Sequence, residues 1–308
     1  MKHISVLLNE SIDALNLKEN SVVVDCTLGY GGHSSNILER IKKGFLFAFD
    51  QDSEAIGYST DRLKRIGTNF TIIKSNFVHL KEKLNELNIT EVDAFLFDLG
   101  VSSPQLDDQK RGFSYHTDAK LDMRMDKNSL FSAYEVVNEY SKKDLAYIFS
   151  RYGESKFANN IALHITEYRK TKSIETTLEL VEIIKAAVPM KFRIDKHPAK
   201  VIFQAIRIEV NKELDVIKPA LEQALSMLKP GGRVAVITFH SLEDKIVKSY
   251  FKEVSDIDPK LKGMPNIPDE YLPDYKLVST KGIKPSVDEI NNNIRSRSSM
   301  LRVIEKIK

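Results

Sequence analysis

Cysteine appears once, at Cys26, and tryptophan not at all in 308 residues. A lone cysteine excludes an internal disulfide and any multi-cysteine zinc site, and no metal is expected. No stretch approaches the ~20 consecutive apolar residues of a membrane span. The start, Met1-Lys2-His3-Ile4-Ser5-Val6, runs into an acidic amphipathic stretch with no apolar signal region or small-residue cleavage site. The expectation is a cytoplasmic protein with no membrane partner. Charge of one sign is scarce too. The net formal charge of +3 is too small to imply nucleic-acid binding, so any basic surface has to come from clustering. Repeats and low-complexity segments are missing.

Present instead is an alternation of apolar runs and helical patterns. Val22-Val23-Val24-Asp25, Phe45-Leu46-Phe47-Ala48-Phe49-Asp50, the run 70–74 and Ala94-Phe95-Leu96-Phe97-Asp98 read as strands. Segments 34–41, 53–66 and 80–87 read as the helices between them. Continuous rather than alternating apolar runs indicate a parallel sheet covered on both faces. From about Gly112 to Arg207 the strands stop, and 130–139, 142–152, 156–168 and 176–187 carry apolar residues at helical spacing. The sheet rhythm resumes with a helix at 214–228, the turn Lys229-Pro230-Gly231-Gly232 and a fifth strand at 233–239. Another helix covers 242–254, the proline-rich 259–273 is loop, and 276–279 and 300–305 form a closing strand pair. The expected architecture is a doubly wound, Rossmann-like α/β domain made of 1–111 and 208–308, with a helical insert, 112–207, after strand four.

The first strand leads into Gly29-Tyr30-Gly31-Gly32-His33-Ser34, where glycines allow a sharp strand-to-helix turn and close approach to a ligand. Ser34 stands where a full G-x-G-x-x-G has its third glycine, and a plain tight turn is the alternative. Asp50 ends strand two about 20 residues on, where an acid can accept both ribose hydroxyls of a nucleoside. Asp98 ends strand four on the same edge. Phe77 is placed to lie against an adenine ring or to pack in the core. A dinucleotide would require a pyrophosphate cradle. Acids at nearly every strand end suit the cationic S-adenosylmethionine (AdoMet) better, and Leu228-Lys229-Pro230-Gly231-Gly232 looks like a turn common in AdoMet-dependent methyltransferases.

Several longer blocks make the likeness specific: Asp25-Cys26-Thr27-Leu28-Gly29-Tyr30-Gly31-Gly32-His33-Ser34, Asp98-Leu99-Gly100-Val101-Ser102-Ser103-Pro104-Gln105-Leu106-Asp107, Arg111-Gly112-Phe113-Ser114 and Leu121-Asp122-Met123-Arg124-Met125-Asp126. His197-Pro198-Ala199, Phe203-Gln204-Ala205-Ile206-Arg207, Thr238-Phe239-His240-Ser241-Leu242-Glu243-Asp244 and Arg295-Ser296-Arg297-Ser298-Ser299-Met300-Leu301-Arg302 follow in order. From His3 to Glu305 the chain resembles the bacterial 16S rRNA (cytosine-N4)-methyltransferases of the RsmH or MraW type. The resemblance implies a class I AdoMet-dependent methyltransferase fold and AdoMet contacts at Gly31, Gly32, His33, Asp50, Phe77, Asp98 and Gln105. Its implied substrate is a cytidine in the decoding region of 16S rRNA in the small ribosomal subunit. Two positions depart from the pattern: Cys26, where glycine is commoner, and Val201, where a basic residue is common.

Methylating the exocyclic N4 calls for an acceptor on the amino group, because positive charge develops there as the methyl arrives. Asp98 and Ser102, in the loop Ser102-Ser103-Pro104-Gln105, are the candidate catalytic residues. His197 and His240 are candidate bases, with a structural hydrogen bond as the alternative for each. Carbon-5 methylation usually needs a cysteine nucleophile, and Cys26 at the end of strand one is poorly placed for that. RNA contacts are expected from Lys110, Arg111, Lys120, Arg124 and Lys127, from Lys191, Arg193, Lys196, His197 and Lys200 in the insert, and from Arg295, Arg297 and Arg302. A nicotinamide-dependent oxidoreductase of another class, an AdoMet-dependent methyltransferase of another RNA base and a non-catalytic assembly factor are the rival readings. The sequence permits a homodimer without indicating one.

Overall fold

The computed structural model describes residues 5–102, 106–193, 197–261, 264 and 266–308. The chain divides into two compact units, Met1–Gly100 with Leu214–Lys308, and Val101–Glu213.

The first unit is built on seven strands: β1 Val22–Asp25, β2 Phe45–Asp50, β3 Phe70–Lys74, β4 Val92–Asp98, β5 Leu228–Thr238, β6 Tyr275–Leu277 and β7 Met300–Lys306. Their order is β3-β2-β1-β4-β5-β7-β6. The first five run parallel, and β7 lies antiparallel between β5 and β6. This is the expected doubly wound, Rossmann-like sheet, with its order reversing between β1 and β4. The apolar runs are continuous because alternate residues feed two cores. Val24, Phe47, Phe49, Phe95, Phe97, Val234 and Val236 pack on one face with helices Leu80–Glu86, Ile217–Ser226 and Ser241–Ser255. Val23, Leu46, Ala48, Ala94, Leu96, Ala235 and Ile237 pack on the other with Leu8–Ala14, Gly32–Arg40 and Ser53–Lys64.

One expected turn is a bulge. Lys229-Pro230-Gly231-Gly232 lies inside β5: Leu228 pairs with Val92, Arg233 pairs with Ala94, and four residues are accommodated opposite Asp93. Gly231 takes a left-handed φ of 81°, open to glycine at little cost. Lys229 Nζ sits 3.3 Å from Asp93 Oδ2, which also accepts the Val22 amide at 2.7 Å, so the bulge is tied to the neighbouring strands.

The second unit contains helices Ala133–Glu139, Lys142–Arg151, Ala158–Tyr168, Thr177–Ala187 and Ala199–Asn211. Its interior comprises Val136, Ile148, Phe149, Ile161, Ile165, Leu180, Ile184, Ile202 and Ile206, all buried. Ser132 with Glu135 and Thr176 with Glu179 form capping boxes that fix two of the helix starts. The first box corrects the sequence reading: the helix begins at Ala133, and Leu130 lies outside it, 95% exposed.

Candidate active site

β1, β2 and β4 all end in an aspartate, and a parallel sheet delivers all three to one edge. Asp25 is buried. Its Oδ2 accepts the Ser34 hydroxyl at 2.6 Å and its Oδ1 the Thr27 amide at 3.1 Å, so it braces the glycine turn from below. Gly31 caps helix Gly32–Arg40 with φ 74°, and a Cβ there would also meet Ser59 Oγ at 3.2 Å. Helix Ser53–Lys64 holds the turn from the side. Ser59 Oγ donates to the Gly29 carbonyl at 2.7 Å and Arg62 to the Tyr30 carbonyl at 3.1 Å.

Asp50 accepts the Gly29 amide on Oδ2 and the Asp52 amide on Oδ1, both at 2.8 Å. The Gln51 amide is a third backbone donor to this carboxylate, which still has acceptor capacity for a ligand hydroxyl. Burial pushes its carboxyl up to about 6, against the pull of those backbone donors.

Asp98 is placed by its own amide, which donates to Thr27 Oγ1 at 2.6 Å. Its Oδ1 is sealed from solvent and has no hydrogen-bond partner among the described residues. The side chain as a whole keeps 24% of its exposure, enough for a ligand to reach it. Burial first, then the charges of Asp25 and Glu243, raise its carboxyl well above the usual range. Oδ2 lies 3.5 Å from His33 Nδ1, while His33 Nε2 lies 3.1 Å from the Val6 carbonyl. A carbonyl can only accept, so Nε2 carries a proton. The contact between Nδ1 and Asp98 is then attractive only when a further proton lies between them.

Glu243 was not singled out by sequence reading as a site residue. It is buried, and its carboxylate accepts the Phe239 amide at 2.7 Å, within the same charge cluster as Asp98. Three acids sharing one buried region, one of them with an unpartnered oxygen, are arranged for a cationic, hydrogen-donating ligand.

The sequence family supplies the rest. The model of the MraW methylase family matches residues 1–307. The chain belongs to the MraW methylase family. Solved structures with a similar chain path include an rRNA methylase from Streptococcus thermophilus, 14% identical over 99% of both chains with a TM-score of 0.47. Others are a provisionally assigned rRNA methylase from Clostridium thermocellum (16%, 99% of both chains, TM-score 0.48) and a provisionally assigned methyltransferase from Streptococcus mutans in complex with SAH (15%, 99% of both chains, TM-score 0.44). Membership rests on the sequence match.

As a member of the MraW methylase family the protein is a methyltransferase, and AdoMet is its methyl donor. The nicotinamide reading is thereby set aside. The residues fit the donor. AdoMet brings an ammonium, a sulfonium and two ribose hydroxyls, and the edge offers clustered carboxylates, an unpartnered buried oxygen and the acceptor capacity of Asp50.

The remaining expected site residues fall out unevenly. Gly31, Gly32, His33, Asp50 and Asp98 meet around the glycine turn. Phe77 is half-buried just past β3, edge-on to Phe97 at 5.6 Å, and packs against the core. Gln105 lies outside the described residues, as does Lys196. Ser102 belongs to the second unit, where its carbonyl accepts the Leu106 amide at 3.2 Å.

The two histidines have structural duties. His240 caps helix Ser241–Ser255 in a capping box with Glu243. His197 Nδ1 accepts the Ala199 amide at 3.3 Å, and its ring stacks on Tyr115 at 5.0 Å.

Several expected RNA-binding arginines are internal ties. Arg111 is buried and donates to the carbonyls of Arg124 and Met125. Arg124 forks onto Asp122 and donates to the Ser129 carbonyl. Arg302 forks onto Asp244, at 2.7 and 3.0 Å. Lys110, Lys120, Lys127, Lys191 and Lys200 are exposed.

Proposed function

We propose that the protein transfers a methyl group from AdoMet to the exocyclic N4 of a cytidine in the decoding region of 16S rRNA, acting in the cytoplasm on the small ribosomal subunit. The observation that carries this reading is Asp98, a reachable carboxylate with an unpartnered buried oxygen at the end of β4. AdoMet supplies an electrophilic methyl on a sulfonium. Asp50 accepts the ribose hydroxyls, Gly31 and Gly32 let the backbone approach the donor, and Phe77 lies against the adenine. His33, beside Asp98, is a further donor contact. Asp98 also faces the reacting amine. As an acceptor it favours the positive charge that develops on nitrogen. Alignment of nitrogen, methyl carbon and sulfur provides much of the remaining acceleration.

Cys26 argues against a carbon-5 route. It is buried, and burial with the Asp25 charge holds its thiol well above its ordinary range, far from the thiolate that covalent attack requires. The residues Val101–Glu213, with their exposed lysines, serve as the RNA-recognition part. A target base inside a stem has to be flipped out to reach the methyl. The test is incubation of unmethylated small subunits with labelled AdoMet, then nuclease digestion and mass spectrometry. N4-methylcytidine at one position is expected; 5-methylcytidine or 2′-O-methylcytidine overturns the assignment.

A further inference from the structure

Away from the strand-end acids, a cavity of about 330 Å³ lies in the first unit between helix Ser241–Ser255 and the β6–β7 edge. Its origin is a detour of the chain. Val278 donates to the Val303 carbonyl at 3.0 Å, and pairing with β7 resumes only where Ile283 donates to the Leu301 carbonyl at 2.8 Å. Ser279 and Thr280 ride on the detour and line the opening. Lys248 and Lys252, one turn apart on the helix, line it from the other side, over an apolar floor of Phe251 and Leu277.

The charge there is unspent. Five other lysines in this unit do find a carboxylate: Lys43 with Glu19, Lys83 with Glu86, Lys218 with Glu253, Lys229 with Asp93 and Lys276 with Glu305. Among the described residues neither Lys248 nor Lys252 forms an ion pair. Arg302, also on the wall, is neutralised by Asp244. Among the described lining residues Asp256 is the single carboxylate.

We propose that this cavity is a binding site for a small organic phosphate of at most mononucleotide size. The phosphate sits between Lys248 and Lys252 with the Ser279 and Thr280 hydroxyls as further donors, and the apolar or planar part lies on Phe251 and Leu277. The volume is at the lower end of ligand cavities, ~300–1,000 Å³, which suits a ligand of mononucleotide size.

The test is calorimetry on the full chain saturated with S-adenosylhomocysteine, titrated with AMP, CMP, inorganic phosphate and a short single-stranded RNA. AMP or CMP should bind with one-to-one stoichiometry and more tightly than inorganic phosphate. Lys248→Ala/Lys252→Ala should weaken that binding by about tenfold or more, as expected for two lost charge-assisted contacts. S-adenosylhomocysteine affinity should be unchanged, which certifies the fold. Ser279→Ala/Thr280→Ala, on an exposed loop, should weaken binding by a smaller factor. Three results overturn the proposal: no saturable binding by either nucleotide, nucleotide binding indifferent to the lysine pair, or equal affinity for inorganic phosphate. Loss of RNA binding alone in the lysine variant would instead mark these side chains as an RNA-backbone contact.

Discussion

Replacing Asp98 by asparagine separates what this carboxylate does for the ligand from what it costs the fold. The swap keeps shape and volume, and it keeps the amide that donates to Thr27 Oγ1. It removes a charge that burial and the neighbouring acids Asp25 and Glu243 oppose. An acid whose carboxyl is raised in the folded state binds protons more tightly there than when unfolded. The ionised form therefore lowers stability above the unfolded-state value near 3.9. Asp98→Asn should accordingly raise the thermal midpoint of the ligand-free protein at pH 7.5, with the gain shrinking as pH falls toward the unfolded-state value near 3.9 and absent below it, where both states are protonated. Binding should move the other way. Losing a charged acceptor from a desolvated contact costs about 1.5–3 kcal/mol, which is roughly 10- to 150-fold in AdoMet affinity. Turnover should fall further if, as proposed, the same group faces the reacting amine. Calorimetric titration and thermal melts across pH 4–8 read both effects. An asparagine variant that binds AdoMet within twofold of wild type, or that melts lower at pH 7.5, would refute the reasoning.

Asp50 gives a pH signature: its carboxyl near 6 is the form without ligand, and accepting two hydroxyls favours ionisation, so AdoMet affinity should rise from pH 5 to 7 and then level off. Titrations in buffers of differing ionisation enthalpy should show proton release near pH 6; a flat profile contradicts the ribose role. Cys26→Ala should retain turnover within a few-fold, measured by methyl incorporation, since the thiol is a packing group. Neutralising Lys110, Lys120, Lys127 and Lys191 together should weaken RNA binding and flatten its salt dependence by up to about four counterions. Arg111→Ala or Arg124→Ala should instead lower the melting temperature, because those guanidiniums satisfy half-buried carbonyls and Asp122.

Much of this was legible before any coordinates. Apolar runs ending in Asp25, Asp50 and Asp98, each followed by a helical pattern, announce a parallel sheet with acids on one edge, since helices on both faces bury such runs on both sides. What could not be read was direction in space. Composition counts Arg111, Arg124 and Arg302 as basic surface, yet each is turned inward onto a carbonyl or a carboxylate. The histidine of Thr238-Phe239-His240-Ser241-Leu242-Glu243 invites a catalytic role; a Ser or Thr three residues before a Glu would have announced a capping box at once. Glu243 hid for the same reason, as one acid in an ordinary helical stretch. Lys229-Pro230-Gly231-Gly232 is punctuated as a turn, and only strand pairing on either side of Asp93 makes it a bulge. Helix Ala199–Asn211 follows the His197-Pro198-Ala199 motif, which attracted attention as a motif rather than as a helix start.

The order of the sheet also governs how the protein can be born. β4 ends at Asp98 and its partner β5 begins at Leu228, so the second unit has to be synthesised before the central pair can zip. β7 then slides between β5 and β6 only after residues 300–306 emerge. Such long-range pairing is slow, and while it waits β4 keeps an unpaired apolar edge on the ribosome. The three acids come from segments as distant as Asp25 and Glu243, so a nascent chain has no donor pocket until synthesis is nearly done. Premature termination anywhere before β7 should yield aggregation-prone fragments and no partially active enzyme, a clean all-or-nothing output for quality control.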